Sequence, residues 1–342
     1  AAGHAGRVRE NLEAAGIGVS VFDRSKENPT TACVDECVAV AKTDAIDFIL
    51  GLGGGSSMDT AKGCNFIFTN GGAMKDYWGI GKASQPMLPS IMIPTTAGTG
   101  SECQSFALIA DNATHQKMAC GDPKAMAKVA ILDPELTLSQ PPRVTACTGI
   151  DAIAHAVETA VTRKRNETSL KYSRAAFQIM LESFSRVLES PDDLHARGQM
   201  LLGAAYAGTA IEHSMLGAAH SAANPLTAHY NVVHGQAVGM MLPHVVRFNA
   251  DDAAIAEAYA EFVEGTSVAA TNGTPAPESL ARSLETILDI AHLPRDLTAF
   301  GVDAARLDLL SEEAAGQWTA SFNPRDITAG DFKGLYQKAF AS

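Results

Sequence analysis

Along the first ~140 residues the apolar positions switch between helical and strand spacing. Val8, Leu12 and Ala15 recur at three- and four-residue intervals, one face of a helix stopped by Gly16. Val19 to Phe22 reads as a short strand. Asn28-Pro29-Thr30-Thr31 is a turn followed by a helix through about Ala41. Phe48-Ile49-Leu50-Gly51-Leu52 is an unbroken apolar run, as in a buried strand, and it leads into Gly53-Gly54-Gly55-Ser56. A helix from Met58 to about Phe66 follows, then a strand from Ser90 to Ile93 ending at Pro94. Leu108-Ile109 and Val129-Ala130-Ile131-Leu132 complete the strand-like segments. Such alternation predicts a mostly parallel sheet with right-handed crossovers. An α/β nucleotide domain ordinarily starts on a strand, whereas this chain starts in a helix, so the first strands are read as missing from it.

After Pro141-Pro142 the texture changes. Alanine- and leucine-rich stretches at 144–161, 167–188, 194–212, 252–264, 277–290 and 306–320 are helical in length and propensity. The expected fold is therefore an α/β Rossmann-like domain over residues 1–140 and an all-α domain over residues 141–342. A chain of 342 residues suits two domains. Its 46% apolar content belongs to a folding sequence, and its net charge of −12 argues against a nucleic-acid partner. No apolar run approaches the ~18 residues of a membrane span, and Ala1-Ala2-Gly3-His4 does not open a leader pattern. Six scattered cysteines in a chain of this size read as free thiols of a cytoplasmic protein.

Two kinds of chemistry are written into the motifs. Gly53-Gly54-Gly55-Ser56-Ser57-Met58-Asp59 joins a strand to a helix; its glycines let backbone amides approach a phosphate at the helix N-terminus. Pro94-Thr95-Thr96-Ala97-Gly98-Thr99-Gly100-Ser101-Glu102 also follows a strand and offers small residues and hydroxyls suited to ribose and pyrophosphate. Asp151 and His155 stand four apart, so on a helix a carboxylate and an imidazole share one face. His220 and His234 follow downstream, His234 directly before Gly235. Two imidazoles with a carboxylate suit Fe(II) or Zn(II), with a position left open for substrate. His213 and His229 are competing candidates by spacing. Taken singly, each motif has a plainer reading: a turn, a capped helix start or a satisfied core histidine. The joint occurrence is what points to a metal site beside a nucleotide cradle in one chain.

Together these motifs, in this order and spacing, resemble the iron-containing (group III) alcohol dehydrogenase family over nearly the whole chain. The resemblance implies a dehydroquinate-synthase-like architecture and a metal-dependent alcohol dehydrogenase or aldehyde reductase acting on a small alcohol or aldehyde. It implies Asp151, His155, His220 and His234 as ligands of Fe(II) or Zn(II). It implies NAD or NADP lined by Gly54, Gly55, Ser56, Asp59, Thr95, Thr96 and Thr99, with Lys117 at the nicotinamide ribose and Asn28 toward the adenosine. Asn224 departs from the pattern, standing where many members carry a histidine that relays a proton. Asparagine hydrogen-bonds but does not titrate near pH 7, so either a water, His229 or a cofactor hydroxyl relays the proton in its place, or the chain handles a different substrate. The family also implies a homodimer or larger homo-oligomer. A dehydroquinate-synthase-like lyase, a metal hydrolase with an incidental glycine turn, and a non-catalytic relative of the same fold are the competing readings.

Overall fold

The computed structural model describes residues 2–114, 116–269 and 273–340. The chain divides into two compact units, Ala1–Gln140 and Pro141–Ser342. In the first unit, α1 (His4–Ala14) and α2 (Thr31–Thr43) precede β1 (Ile49–Gly53), α3 (Gly55–Asn70), β2 (Gly79–Ile80) and β3 (Ser90–Pro94). β4 (Phe106–Ala110), β5 (Lys117–Gly121) and β6 (Val129–Ala130) complete it. Thr30 caps α2, its side chain accepting from the Cys33 amide. β1, β3 and β6 form a parallel sheet with β3 in the middle, in register Ile49 to Ser90 and Ile91 to Val129. The single mostly parallel sheet expected from the alternation is in fact two sheets. The second has the order β2-β5-β4, and β4 and β5 run antiparallel.

The strand expected at Val19–Phe22 does not form: residues 17–22 take no regular structure. They face β1 across a cavity of about 980 Å³ lined by Val8, Leu12, Val19, Phe22, Ile49 and Leu50. β1 is the outer strand of its sheet, and among the described residues nothing pairs with its free edge. A strand exists only by pairing, so an apolar segment with the right pattern but no adjacent partner stays unassigned.

The second unit is helical: α4 (Pro142–Thr159), α5 (Glu167–Glu189), α6 (Leu194–His213), α7 (Ala218–Tyr230), α8 (His234–Asn249), α9 (Ala253–Val263), α10 (Ala276–Ile290), α11 (Leu307–Ala315) and α12 (Ala329–Ala339). α4 starts on Pro142, whose missing N–H costs nothing in a first turn, and is buried almost all round from Thr145 to Thr159. It is thus a central helix of the unit, and it carries Asp151 and His155 inward. α7 and α8 hold Pro225 and Pro243 inside them, which is why sequence spacing does not mark them as helices.

Two glycines four apart, Gly235 and Gly239, set how closely α8 lies on α4. A Cβ at Gly235 would fall 2.0 Å from the Cys147 carbonyl oxygen, and one at Gly239 would fall 2.6 Å from Ile150 Cγ2. Neither contact is sterically possible, so glycine is what permits the close approach.

Candidate metal centre and nucleotide cradle

In the first unit, the turn between β1 and α3 is built from glycine for local reasons. Gly53 has φ 140°, a conformation that side chains rarely adopt, and its carbonyl accepts from the Thr95 amide at 2.9 Å. Gly54 is the N-cap of α3 and supplies no side-chain cap, leaving the first amides of the helix available to an anion. Thr96 packs over Gly54, and Thr99 lies so close to Gly55 that a Cβ there would meet it at 2.8 Å. The glycine turn and the threonine loop therefore touch, as one cradle would need. Asn28 joins them: its amide donates to Ser56 Oγ at 3.3 Å, and its side-chain oxygen accepts from Lys117 Nζ at 3.3 Å. Asn28 has φ 50°, a left-handed position that asparagine tolerates.

Asp59 sits differently from the other expected cofactor residues. It is buried and accepts from Ser101 Oγ at 2.8 Å. Beside it Lys62, 1% exposed, donates to the Ser101 carbonyl, Ser101 Oγ and the Phe106 carbonyl at 2.6, 2.8 and 2.9 Å. Burial pushes the Asp59 carboxyl up against the opposing pull of Lys62 and Ser101. The pair ties α3 to the loop after β3, so Asp59 braces the cradle from beneath. Glu102, also buried, has no hydrogen-bond partner for either carboxylate oxygen among the described residues, and burial raises its pKa to about 7.

In the second unit, the acid and the imidazoles expected from the motifs converge. His220 Nε2 and His234 Nε2 lie 3.5 and 3.8 Å from Asp151 Oδ1, while His155 Nε2 lies 3.6 Å from Asp151 Oδ2. Ligand atoms of Asp151, His220 and His234 all fall within 4.8 Å of one another. His155 stacks on His220, with ring centroids 4.9 Å apart. At 3.5 Å the His220–Asp151 pair is ionic rather than a well-formed hydrogen bond. Accordingly, Asp151 Oδ1 and His220 Nε2 are both buried with no hydrogen-bond partner among the described residues. The His234 side chain is 38% exposed, against 5% for His155 and His220, so the cluster opens on the His234 side.

The electrostatics favour a cation. Burial works to raise the Asp151 carboxyl, but His155, His234 and His220 together hold it well below the usual carboxylate range. Burial likewise works to lower His220, and Glu158 and Asp151 overcome it, bringing the imidazole up to about 9.

Glu158 is a residue at the cluster that spacing had not singled out. Its Oε2 lies 2.5 Å from His220 Nδ1, and its Oε1 accepts from the Ala219 amide at 2.7 Å. It stands seven residues after Asp151 on α4, so Asp151, His155 and Glu158 form an i, i+4, i+7 face that could have revealed it. Asn224, at the position of the family's relay histidine, and His229, a candidate to replace it, are placed differently. Asn224, one turn beyond His220, donates to Gln317 Oε1 at 3.0 Å. His229 lies nine residues beyond His220, about 900° around α7, and so projects from the opposite side. There it pairs with Glu313 Oε2 at 2.8 Å and with Arg306 at 3.3 Å. The structure does not bring His229 to the ligand cluster. His213 ends α6 and has no part in the cluster either.

Comparisons with known proteins agree with this geometry. The family described as iron-containing alcohol dehydrogenase matches residues 1–134, and the Fe-containing alcohol dehydrogenase family, C-terminal, matches residues 145–340. The chain is 33% identical over 337 residues to the NAD-dependent methanol dehydrogenase of Bacillus methanolicus, covering 97% of this chain and 87% of that one. It is 30% identical over 339 residues to lactaldehyde reductase of Escherichia coli, covering 98% and 87%. A crystal structure of 1,3-propanediol oxidoreductase superposes with a TM-score of 0.94 at 28% identity, over 99% of this chain and 88% of that one. The chain belongs to the iron-containing alcohol dehydrogenase family. It is an oxidoreductase of the alcohol dehydrogenase and aldehyde reductase class, and the lyase, hydrolase and non-catalytic readings are not favoured.

Proposed function

We propose that the chain is an NAD(P)-linked alcohol dehydrogenase or aldehyde reductase for small substrates, with Asp151, His155, His220 and His234 holding one iron(II) or zinc(II) ion. The observation that carries this reading is the convergence of three imidazoles on one buried carboxylate, with Asp151 Oδ1 and His220 Nε2 unpartnered. Buried polar atoms are rarely left unsatisfied, and a donor set of one carboxylate and imidazoles fits a borderline divalent ion. When bound, the metal supplies Lewis acidity toward a substrate oxygen and the nicotinamide takes or gives the hydride.

The chain's own residues do the rest. Asp151 provides the buried negative charge, and half-exposed His234 marks the side from which an alcohol or aldehyde reaches the site. Gly54, Gly55 and Ser56 offer amides and a hydroxyl to the cofactor's phosphates, while Thr95, Thr96 and Thr99 line the facing loop. Lys117 is assigned to the nicotinamide ribose and Asn28, which accepts from it, to the adenosine side. Asn224 orients by hydrogen bonds, and His229 braces α7 against Glu313 and Arg306 rather than relaying a proton. The names of the relatives, a NAD-dependent methanol dehydrogenase and a lactaldehyde reductase, support small substrates and a nicotinamide.

A cytoplasmic homodimer or larger homo-oligomer is part of the same proposal. No disulfide joins any of the six cysteines, no helix is long and apolar enough to cross a membrane among the described residues, and Trp78, just before β2, and Ile80 within it are exposed. Light scattering tests the assembly. The function is tested by loading the protein anaerobically with iron or zinc and following reduction of NAD⁺ and NADP⁺ over a panel of small alcohols. Metal and activity are expected to be lost together in His220→Ala; full activity of a metal-free His220→Ala protein would sink the reading.

A further inference from the structure

We infer that Glu158 is a positioning residue that fixes which nitrogen of His220 faces the metal site and, through the same carboxylate, anchors the helix that carries His220. The inference rests on the metal-site reading above and adds the element that orients it.

The N-terminus of α7 has a chemical problem. Its N-cap is Gly217, which has no side chain to accept from the first-turn amides. Those amides are satisfied from elsewhere in the chain: the Ala219 amide donates to Glu158 Oε1 at 2.7 Å, and the Ala218 amide is 3.4 Å from Asn323 Oδ1. A Cβ at 217 would stand 3.2 Å from Glu158 Oε1 and from Asn323 Oδ1, so glycine eases the approach of both partners. A carboxylate at a helix N-terminus also meets the positive end of the helix dipole.

The second oxygen of the same carboxylate, Oε2, lies 2.5 Å from His220 Nδ1. A carboxylate only accepts, so Nδ1 must carry the hydrogen and Nε2 is the nitrogen left to act as a ligand. Nε2 is the atom that lies 3.5 Å from Asp151 Oδ1. Both oxygens of Glu158 are thus acceptors at once, one for a backbone amide and one for an imidazole. Glutamine cannot reproduce this. Its single oxygen serves Ala219 or His220, and its NH2 then confronts either the Nδ1 hydrogen or the amide hydrogen. If the oxygen keeps Ala219, the NH2 drives the hydrogen of His220 onto Nε2 and removes the ligand lone pair.

The test is zinc affinity, measured by calorimetry on wild type, Glu158→Gln and Glu158→Asp in the full chain. Outer partners of ligand imidazoles commonly contribute 10- to 100-fold in metal affinity. Glu158→Gln is expected to bind zinc about 10- to 100-fold more weakly with an unchanged far-UV circular dichroism spectrum, and Glu158→Asp to recover part of the loss. The accompanying readout is ¹⁵N NMR of histidine-labelled, zinc-loaded wild type, in which His220 is expected to be metallated at Nε2 with a hydrogen-bonded Nδ1–H. That spectrum stands alone if Glu158→Gln does not fold. Zinc affinity equal to wild type in Glu158→Gln, or His220 metallated at Nδ1, overturns the role of Glu158. Absence of zinc and iron binding by wild type instead overturns the metal-site reading on which the inference rests.

Discussion

Gly235 decides how near His234 comes to Asp151. Its missing Cβ would sit inside the Cys147 carbonyl and 3.2 Å from Asp151 Cβ. Gly235→Ala must move α8 outward, at a cost of roughly 1–3 kcal/mol or more by overpacking. The larger expected consequence is at the site: metal content after dialysis against sub-stoichiometric zinc falls well below wild type while the helical spectrum persists. Lys62 is the corresponding residue in the nucleotide half. Lys62→Met leaves two carbonyls without their donor and Asp59 without its nearby cation, and the midpoint of urea unfolding is expected to drop by the equivalent of roughly 3 kcal/mol. At this scale the sequence was informative wherever chemistry depends on residue type and local spacing. Asp151, His155, His220 and His234 converge as the motifs implied. Asp59 was expected to line the cofactor and Glu102 was legible only as a motif neighbour. The pairing of Asp59 with Lys62 and the burial of Glu102 near it were not legible, because burial and long-range partners decide what a charged group does, and neither is visible in a local pattern. His229 shows the same limit: composition offers a histidine, and only helix phase shows that it lies away from Asp151 and His220, against Glu313 and Arg306.

Elements show a similar division. Long alanine-rich helices announced themselves, and α5 and α6 lie within a residue of the expected spans. α7 and α8 did not, since each holds a proline that local rules read as a break, and packing tolerates it. The strand expected at Val19–Phe22 failed for the opposite reason: the local pattern was right, and pairing, a non-local event, was absent. α7 also illustrates capping from a distance. Asn323 Oδ1 serves the Ala218 amide and Asn249, and its Nδ2 donates to Asn249 Oδ1 and the Arg325 carbonyl, both at 2.8 Å. Asn323→Ala is expected to destabilise by about 1–3 kcal/mol and to speed hydrogen exchange of the Ala218 amide relative to mid-helix amides of α7. Unchanged exchange at Ala218 would mean that the α7 N-terminus does not depend on this partner.

For the whole molecule, two groups give stability opposite dependences on pH. Folding raises the pKa of Glu102 to about 7, so the folded protein holds that proton more tightly. Its contribution is full below the unfolded carboxyl range near pH 4.5 and is lost as pH rises through about 7, on the order of 3 kcal/mol. Glu102→Gln is expected to gain stability over wild type progressively across that window, with little difference at pH 4.5; a constant difference across it would contradict the assignment. Asp151, depressed on folding, contributes in the other direction: its stabilisation is present above the usual carboxylate pKa and fades as acid protonates it. Metal removal acts on the same cluster. A ligand at 100 times its dissociation constant stabilises by about 2.7 kcal/mol, so chelation is expected to lower Tm in calorimetry and re-addition of metal to restore it. In Asp151→Asn the chelator should leave Tm nearly unmoved.

The proposed ligand set is drawn from α4, α7 and α8, and this sets when such a site can exist in the life of the chain. Asp151 and His155 emerge from the ribosome long before His234, by roughly 4–16 s at ~5–20 residues per second. A nascent chain carrying α4 alone offers one carboxylate and one imidazole, too few to retain an ion against competing cellular chelators. Capture must wait until α8 has been synthesised and has settled on α4 at Gly235 and Gly239. The ion therefore meets an assembled helical template, and which metal is taken up depends on what the cell supplies after synthesis.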